Sequence, residues 1–97
     1  MSATSVATGA SAAGTAVSIE NFAYAPATIA VKTGASVTWT NNDEEPHTVT
    51  FEDGQARSPV LSPPNVTFTY TFTHAGTFTY HCSIHAYMTG TVAVTDG

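Results

Sequence analysis

Between Val66 and Thr73 the chain reads Val-Thr-Phe-Thr-Tyr-Thr-Phe-Thr, a strict alternation of large apolar and hydroxylated side chains. Only an extended strand puts alternate residues on one face, so Val66, Phe68, Tyr70 and Phe72 turn to a core and the threonines to water. The same period recurs upstream. Val17 and Ile19 alternate with Ser18 and Glu20, Ile29 and Val31 with Ala30 and Lys32, and Val37 and Trp39 with Ser36, Thr38 and Thr40. Downstream, Phe78, Tyr80 and Cys82 share one parity, and Val92 and Val94 form an inner face that Met88 joins by counting back. Ala25-Pro26, Thr33-Gly34, the polar run from Asn41 to Pro46, and Thr73 to Gly76 punctuate these segments. No segment carries a helical period. The expected fold is all-β: an antiparallel Greek-key β-sandwich of seven to eight strands.

A further strand is expected from Thr48 to Glu52. Val49 and Phe51 are its apolar residues, so parity turns His47 inward with them and Thr48 and Thr50 outward. Residues 53–65 hold three prolines, Pro59, Pro63 and Pro64, and read as a loop that covers one flank. Gly90, inside the last strand, marks a bulge or a close backbone approach. Residues 1–15 carry small side chains and no charge, and read as a flexible tail, either a tether or a frayed end. Residues 16–97 form the folded domain.

A chain of 97 residues supports one packed core and no second domain. Lys32 and Arg57 are its only cationic side chains against seven carboxylates, for a net charge of −5. Nucleic acid is excluded, because phosphate neutralisation needs clustered Lys and Arg, and acidic membranes are disfavoured for the same reason. A partner with a basic or apolar docking face fits better, with the negative field assisting encounter. One cysteine permits no intrachain disulfide, no copper pair bridged by two thiolates and no iron–sulfur cluster. There is neither an apolar run of spanning length nor a signal-peptide core.

The chemistry is concentrated in Tyr80-His81-Cys82-Ser83-Ile84-His85-Ala86-Tyr87-Met88. A thiolate and an imidazole bind copper or zinc, and a thioether adds affinity mainly for soft copper. A second imidazole is needed from elsewhere, and His47 is the best placed. Taken singly, Cys82 is more often a small buried core residue, His47 a satisfied strand-end histidine and Met88 core filler. Their combination at this spacing reverses those readings. His74 reads as a loop residue, His81 as a surface hydrogen-bonding group, and Asp43, Glu44 and Glu45 as a solvated turn. Cys82, His47 and His85 in a trigonal set with Met88 as a weak axial contact would serve both oxidation states of one copper ion. That set leaves no ligand position for a substrate, which points to electron transfer and away from catalysis.

Tyr-x-Cys-x-x-His-x-x-Met followed by Gly-x-Val-x-Val, with upstream Pro-His-x-Val-x-Phe and Val-x-Trp-x-Asn, resembles the cupredoxins, and within them the amicyanin- and plastocyanin-like small blue copper proteins. The likeness spans about residues 16–95. It implies His47, Cys82, His85 and Met88 as ligands of one copper ion, and the edge of His85 as the electron port. It further implies redox partner proteins docking on an apolar patch to which Ala86, Tyr87 and the Pro63-Pro64 loop contribute. A monomer in a periplasmic or other extracytoplasmic setting, with the tail as a membrane tether, fits the resemblance. Two departures stand out: Thr48 occupies a position that is often Asn in the family, and Ile84 and Ala86 stand where amicyanins commonly have Pro. Either the Thr48 hydroxyl does part of the work of tying the two ligand loops together, or its backbone N–H suffices as a donor to the Cys82 sulfur. A copper delivery or storage protein uses the same ligands without fast electron exchange, and a metal-free adhesion-type sandwich would need none of them. No nucleophile elbow, paired catalytic carboxylates or phosphate loop supports an enzyme.

Overall fold

The computed structural model describes residues 12–13, 15–62 and 66–96, and contains no helix among them. The strands are β1 (Ala12–Ala13), β2 (Ala16–Glu20), β3 (Ala23–Ala25), β4 (Thr28–Lys32), β5 (Ser36–Asn41), β6 (Thr50–Phe51), β7 (Thr67–Thr71), β8 (Gly76–His81) and β9 (Thr89–Thr95). Two sheets face each other, one ordered β1-β4-β9-β8-β6 and the other β3-β2-β5-β7. The chain changes sheet at every step from β3 to β8, which makes the sandwich.

The strands expected from alternation are present, and their apolar parity forms the core. Val17, Ile19, Ile29, Val31, Val37, Trp39, Phe72, Tyr80, Val92 and Val94 are all buried. Phe68 and Tyr70 are only partly buried, since β7 is an edge strand with one paired neighbour. Direction of pairing differs from the antiparallel expectation: β1 with β4, β2 with β5 and β4 with β9 run parallel. Alternation records which face a side chain takes and is blind to strand polarity. The polarity follows from the excursions into the opposite sheet that separate these partners in sequence.

The segment ahead of β6 also departs from expectation. Only Thr50 and Phe51 are strand, and Thr48 is buried at 3% exposure instead of pointing out. The backbone of His47 exchanges hydrogen bonds with Leu61, and Val49 N–H donates to Ser58 Oγ, while Thr48 N–H turns the other way towards Cys82. Chain therefore packs on both sides of 47–49, and no outward face exists there. The 53–65 loop covers the flank as expected, through Leu61 and Ser58; Pro63 and Pro64 lie outside the described residues. So does most of the expected tail, apart from Ala12–Ala13, which pair with Ile29–Ala30, and Thr15.

On the outer face of the second sheet, hydroxyls pair across strands: Ser36 Oγ with Thr71 Oγ1 at 2.6 Å and Thr38 Oγ1 with Thr69 Oγ1 at 2.8 Å. These cross-strand pairs fix the β5–β7 register.

Gly90 is buried opposite Tyr80 in the β8–β9 ladder. A Cβ built on it would stand 2.3 Å from Tyr80 Cζ and 2.4 Å from its oxygen, so the Tyr80 ring occupies the space a side chain would need. Because Tyr80 is itself fully buried, it has nowhere to move. Gly90→Ala should therefore cost about 2 kcal/mol or more, the scale of an overpacked core, as a lowered urea midpoint of the metal-free protein; an unchanged midpoint would refute the close approach.

Candidate metal centre

Cys82 directly follows β8, and His47 lies ahead of β6, the antiparallel partner of β8. The register Thr50 opposite His81 and Phe51 opposite Tyr80, continued towards the end of the ladder, sets 47–49 beside the start of the 82–88 turn. His47 Nδ1 and His85 Nδ1 each lie 3.8 Å from Cys82 Sγ. One donor atom from each of the three residues lies within 4.8 Å of the others. His47 and Cys82 are fully buried and His85 is half-buried.

The turn is closed by its own backbone. Met88 N–H donates to His85 O at 2.9 Å and Cys82 N–H to Met88 O at 3.2 Å, which gathers the sequence-predicted residues of this segment into one loop. Met88 is buried at the head of β9. Ile84 and Tyr87, between these residues, are exposed.

Thr48 joins the two ligand segments. Its N–H donates to Cys82 Sγ at 3.4 Å, its Oγ1 accepts from Ser83 N–H at 2.8 Å, and its carbonyl accepts from the buried Tyr24 hydroxyl at 2.6 Å. The hydroxyl tie and the sulfur donor, expected as alternatives, are both present in these contacts.

Burial alone would raise the Cys82 thiol. Donation from Thr48 N–H and the His47 ring, with the backbone and ring of His85, outweighs it and brings the thiol down from 9.0 to about 6. The free protein thus holds a thiolate at neutral pH between two imidazole nitrogens.

Asp43 is a residue the sequence reading left as a solvated turn. Its Oδ2 lies 2.8 Å from His47 Nε2, and the carboxylate also accepts the N–H groups of Asn21 at 2.7 Å and Phe22 at 2.9 Å. Burial opposes its charge, but these N–H donors and the His47 ring hold Asp43 below the usual carboxylate range. An ionised Asp43 accepts the Nε2 proton of His47 and turns Nδ1 to the Cys82 sulfur, where a bound metal would take its lone pair. Asn41, buried, orders the same turn: its Oδ1 accepts from Asp43 N–H at 2.8 Å, and its Nδ2 donates to Glu45 O and Leu61 O. His81, expected on the surface, has Nδ1 3.5 Å from Glu52 Oε2 and stands apart from the three-residue cluster.

The donor set fits copper. Trigonal ligands about 2.0–2.3 Å from one ion stand roughly 3.5–4 Å from one another, and both sulfur–nitrogen separations fall in that range. One thiolate and two neutral imidazoles suit copper or zinc, and a thioether at Met88 favours copper.

Comparison with known proteins agrees. The family model of the cupredoxin-like domain matches residues 1–94. Amicyanin from Paracoccus denitrificans is 38% identical over 82 residues, covering 80% of this chain and 63% of the relative's length. Chloroplastic plastocyanin from Tetradesmus obliquus is 36% identical over 83 residues, covering 73% of this chain and 57% of its own length. Among solved structures, the Cu(I) form of an amicyanin mutant superposes with a TM-score of 0.73 at 37% identity, covering 81% of this chain and 79% of that one. A purple cupredoxin from Nitrosopumilus maritimus gives 0.75 at 28% identity, covering 84% of this chain and 100% of that one. With a family match across nearly the whole sequence, a shared sandwich, and the thiolate and two imidazoles gathered at its end, the chain belongs to the cupredoxin-like family.

Proposed function

We propose that this chain is a small blue copper protein that carries single electrons between redox partners, with His47, Cys82, His85 and Met88 as ligands of one copper ion. The observation that supports it most directly is the pair of imidazole nitrogens, each 3.8 Å from a single buried sulfur. Copper held there supplies a one-electron Cu(I)/Cu(II) couple. The rest is the work of the chain: Asp43 sets the tautomer of His47, Thr48 N–H withdraws charge from the Cys82 sulfur, and the β-frame keeps the donors in place. Little rearrangement between oxidation states means fast exchange. The relatives it resembles are electron carriers, and this chain is one too rather than an enzyme.

The half-buried edge of His85 is the electron port. Around it Phe22, Ile84 and Tyr87 are exposed, an apolar docking patch on a monomeric protein, to which the exposed Ala86 adds. Glu44 and Glu45 lie on the exposed turn three and two residues before His47, so a partner with an apolar face and a basic rim is the fitting one. Residues 16–97 carry all four proposed copper ligands, and the segment ahead of β1 serves as a tether in a periplasmic or other extracytoplasmic setting. Among the described residues no helix is long and apolar enough to cross a membrane.

Three measurements check this reading. Cu(II) added to the metal-free protein should give an intense blue thiolate-to-copper band and a reversible couple, both lost in Cys82→Ala; a colourless wild-type product would refute the carrier. Thr48→Val keeps the N–H to sulfur but strips the acceptor from Ser83 N–H, so urea unfolding of the metal-free variant should show a loss of about 1–3 kcal/mol. Equal stability would mean that the hydroxyl is no clasp. The third is pH dependence. The Cys82 thiol is depressed from 9.0 to about 6, so its contribution to metal-free stability is complete above 9.0, declines as pH falls and is gone below about 6. The stability difference between wild type and Cys82→Ala should narrow over that window, and the ultraviolet absorbance of the thiolate should titrate with a midpoint near 6.

A further inference from the structure

The β2–β3 hairpin turns through Asn21 and Phe22, both left-handed, with φ of 53° and 59°. A two-residue turn of this kind favours Asn followed by Gly. Asn21 obeys the preference, but a bulky residue such as Phe22 is strained at positive φ. The Phe22 side chain offers the core little in return, being 37% exposed. What it touches is the metal centre: its ring stands edge-on to His85 at 4.9 Å and to His47 at 5.4 Å, with an interplanar angle of 88° in each case. The turn is held in place by Asp43, which accepts the N–H of both turn residues and contacts His47 Nε2 with the same carboxylate.

We infer that Phe22 is a positioning residue: its ring bridges the solvent side of the two imidazoles, holds their planes and keeps small anions away from the metal they carry. The inference rests on the copper reading above. A residue placed for the fold would be glycine at this φ, whereas one placed to cover two ligands needs a broad apolar ring. The edge-to-face geometry lets one ring hold both imidazoles without a hydrogen bond to either. Asp43 couples the cover to the ligand it shields, since the hairpin and His47 depend on one carboxylate.

The test uses the full chain as wild type, Phe22→Gly and Phe22→Tyr. The metal-free glycine variant should unfold at the wild-type temperature or above it, because the left-handed strain is relieved. Loaded with Cu(II) and titrated with azide, it should show a shift of the blue band and a new azide band, while wild type and Phe22→Tyr stay unchanged. In the metal-free protein, the ring-proton resonances of His47 and His85 should move in Phe22→Gly and stay near wild type in Phe22→Tyr. A glycine variant that excludes azide, or a wild type equally open to it, overturns the inference. So does a glycine variant that unfolds at lower temperature, which would make Phe22 a support of the fold. If wild type gives no blue band, the copper reading fails instead, and the metal-free resonances decide on Phe22: unmoved signals in Phe22→Gly overturn it.

Discussion

Everything at the metal centre depends on a very short ladder, the pairing of Thr50 and Phe51 with His81 and Tyr80. Extended towards its open end, it leaves 47–49 facing 82–83, and there Thr48 N–H reaches Cys82 Sγ and Ser83 N–H reaches Thr48 Oγ1. A one-residue slip in this pairing would turn His47 from the sulfur towards the opposite face. The register is locked from both sides. Tyr80 fills the space over Gly90 on one neighbour, and His47, Val49 and Phe51 bond to the 56–61 loop on the other.

The thiolate and the carboxylate at this end of the molecule are stabilised by similar means. Each is a partly or wholly buried anion whose charge burial opposes, and each is favoured as the anion by N–H donors from a neighbouring segment: Thr48 for Cys82, Asn21 and Phe22 for Asp43. His47 lies between them, with Nδ1 towards the sulfur and Nε2 towards the carboxylate. The imidazole most deeply buried is thus oriented at both nitrogens before any metal arrives, which limits the reorganisation that binding or redox change requires.

Much of this was legible in the sequence, and the limits have physical causes. Period-two alternation located the strands and their inner faces, because the pleat imposes that period on any strand. It could not give the parallel pairing of β2 with β5 or β4 with β9, since polarity leaves no mark on alternation. Cys82, His85 and Met88 were visible as unlike ligand types at close spacing, and His47 as the histidine that parity turned inward. Parity failed at Thr48 because it applies only inside a strand, and the chain at 47–49 is packed from both directions. The roles of Asp43 and Phe22 arise where separate segments meet, Asp43 by accepting from Asn21 and Phe22 and the Phe22 ring by reaching His47 and His85, and alternation carries no record of such meetings. The one hint was local: an aromatic residue in the turn between two short strands, where a small or polar one is usual.

The hydroxyl pairs on the outer face of the β5–β7 ladder have a wider consequence. With 9% charged residues, the sandwich is held by apolar packing and by neutral side chains paired across strands, such as Ser36 with Thr71 and Thr38 with Thr69. Dissolved ions screen charges and leave such bonds nearly untouched. Glu44 and Glu45, by contrast, belong to the turn that leads into His47. Ionic strength therefore acts at this turn on the approach of a charged partner, which it can slow, while the scaffold that keeps the donors in register remains nearly indifferent to it.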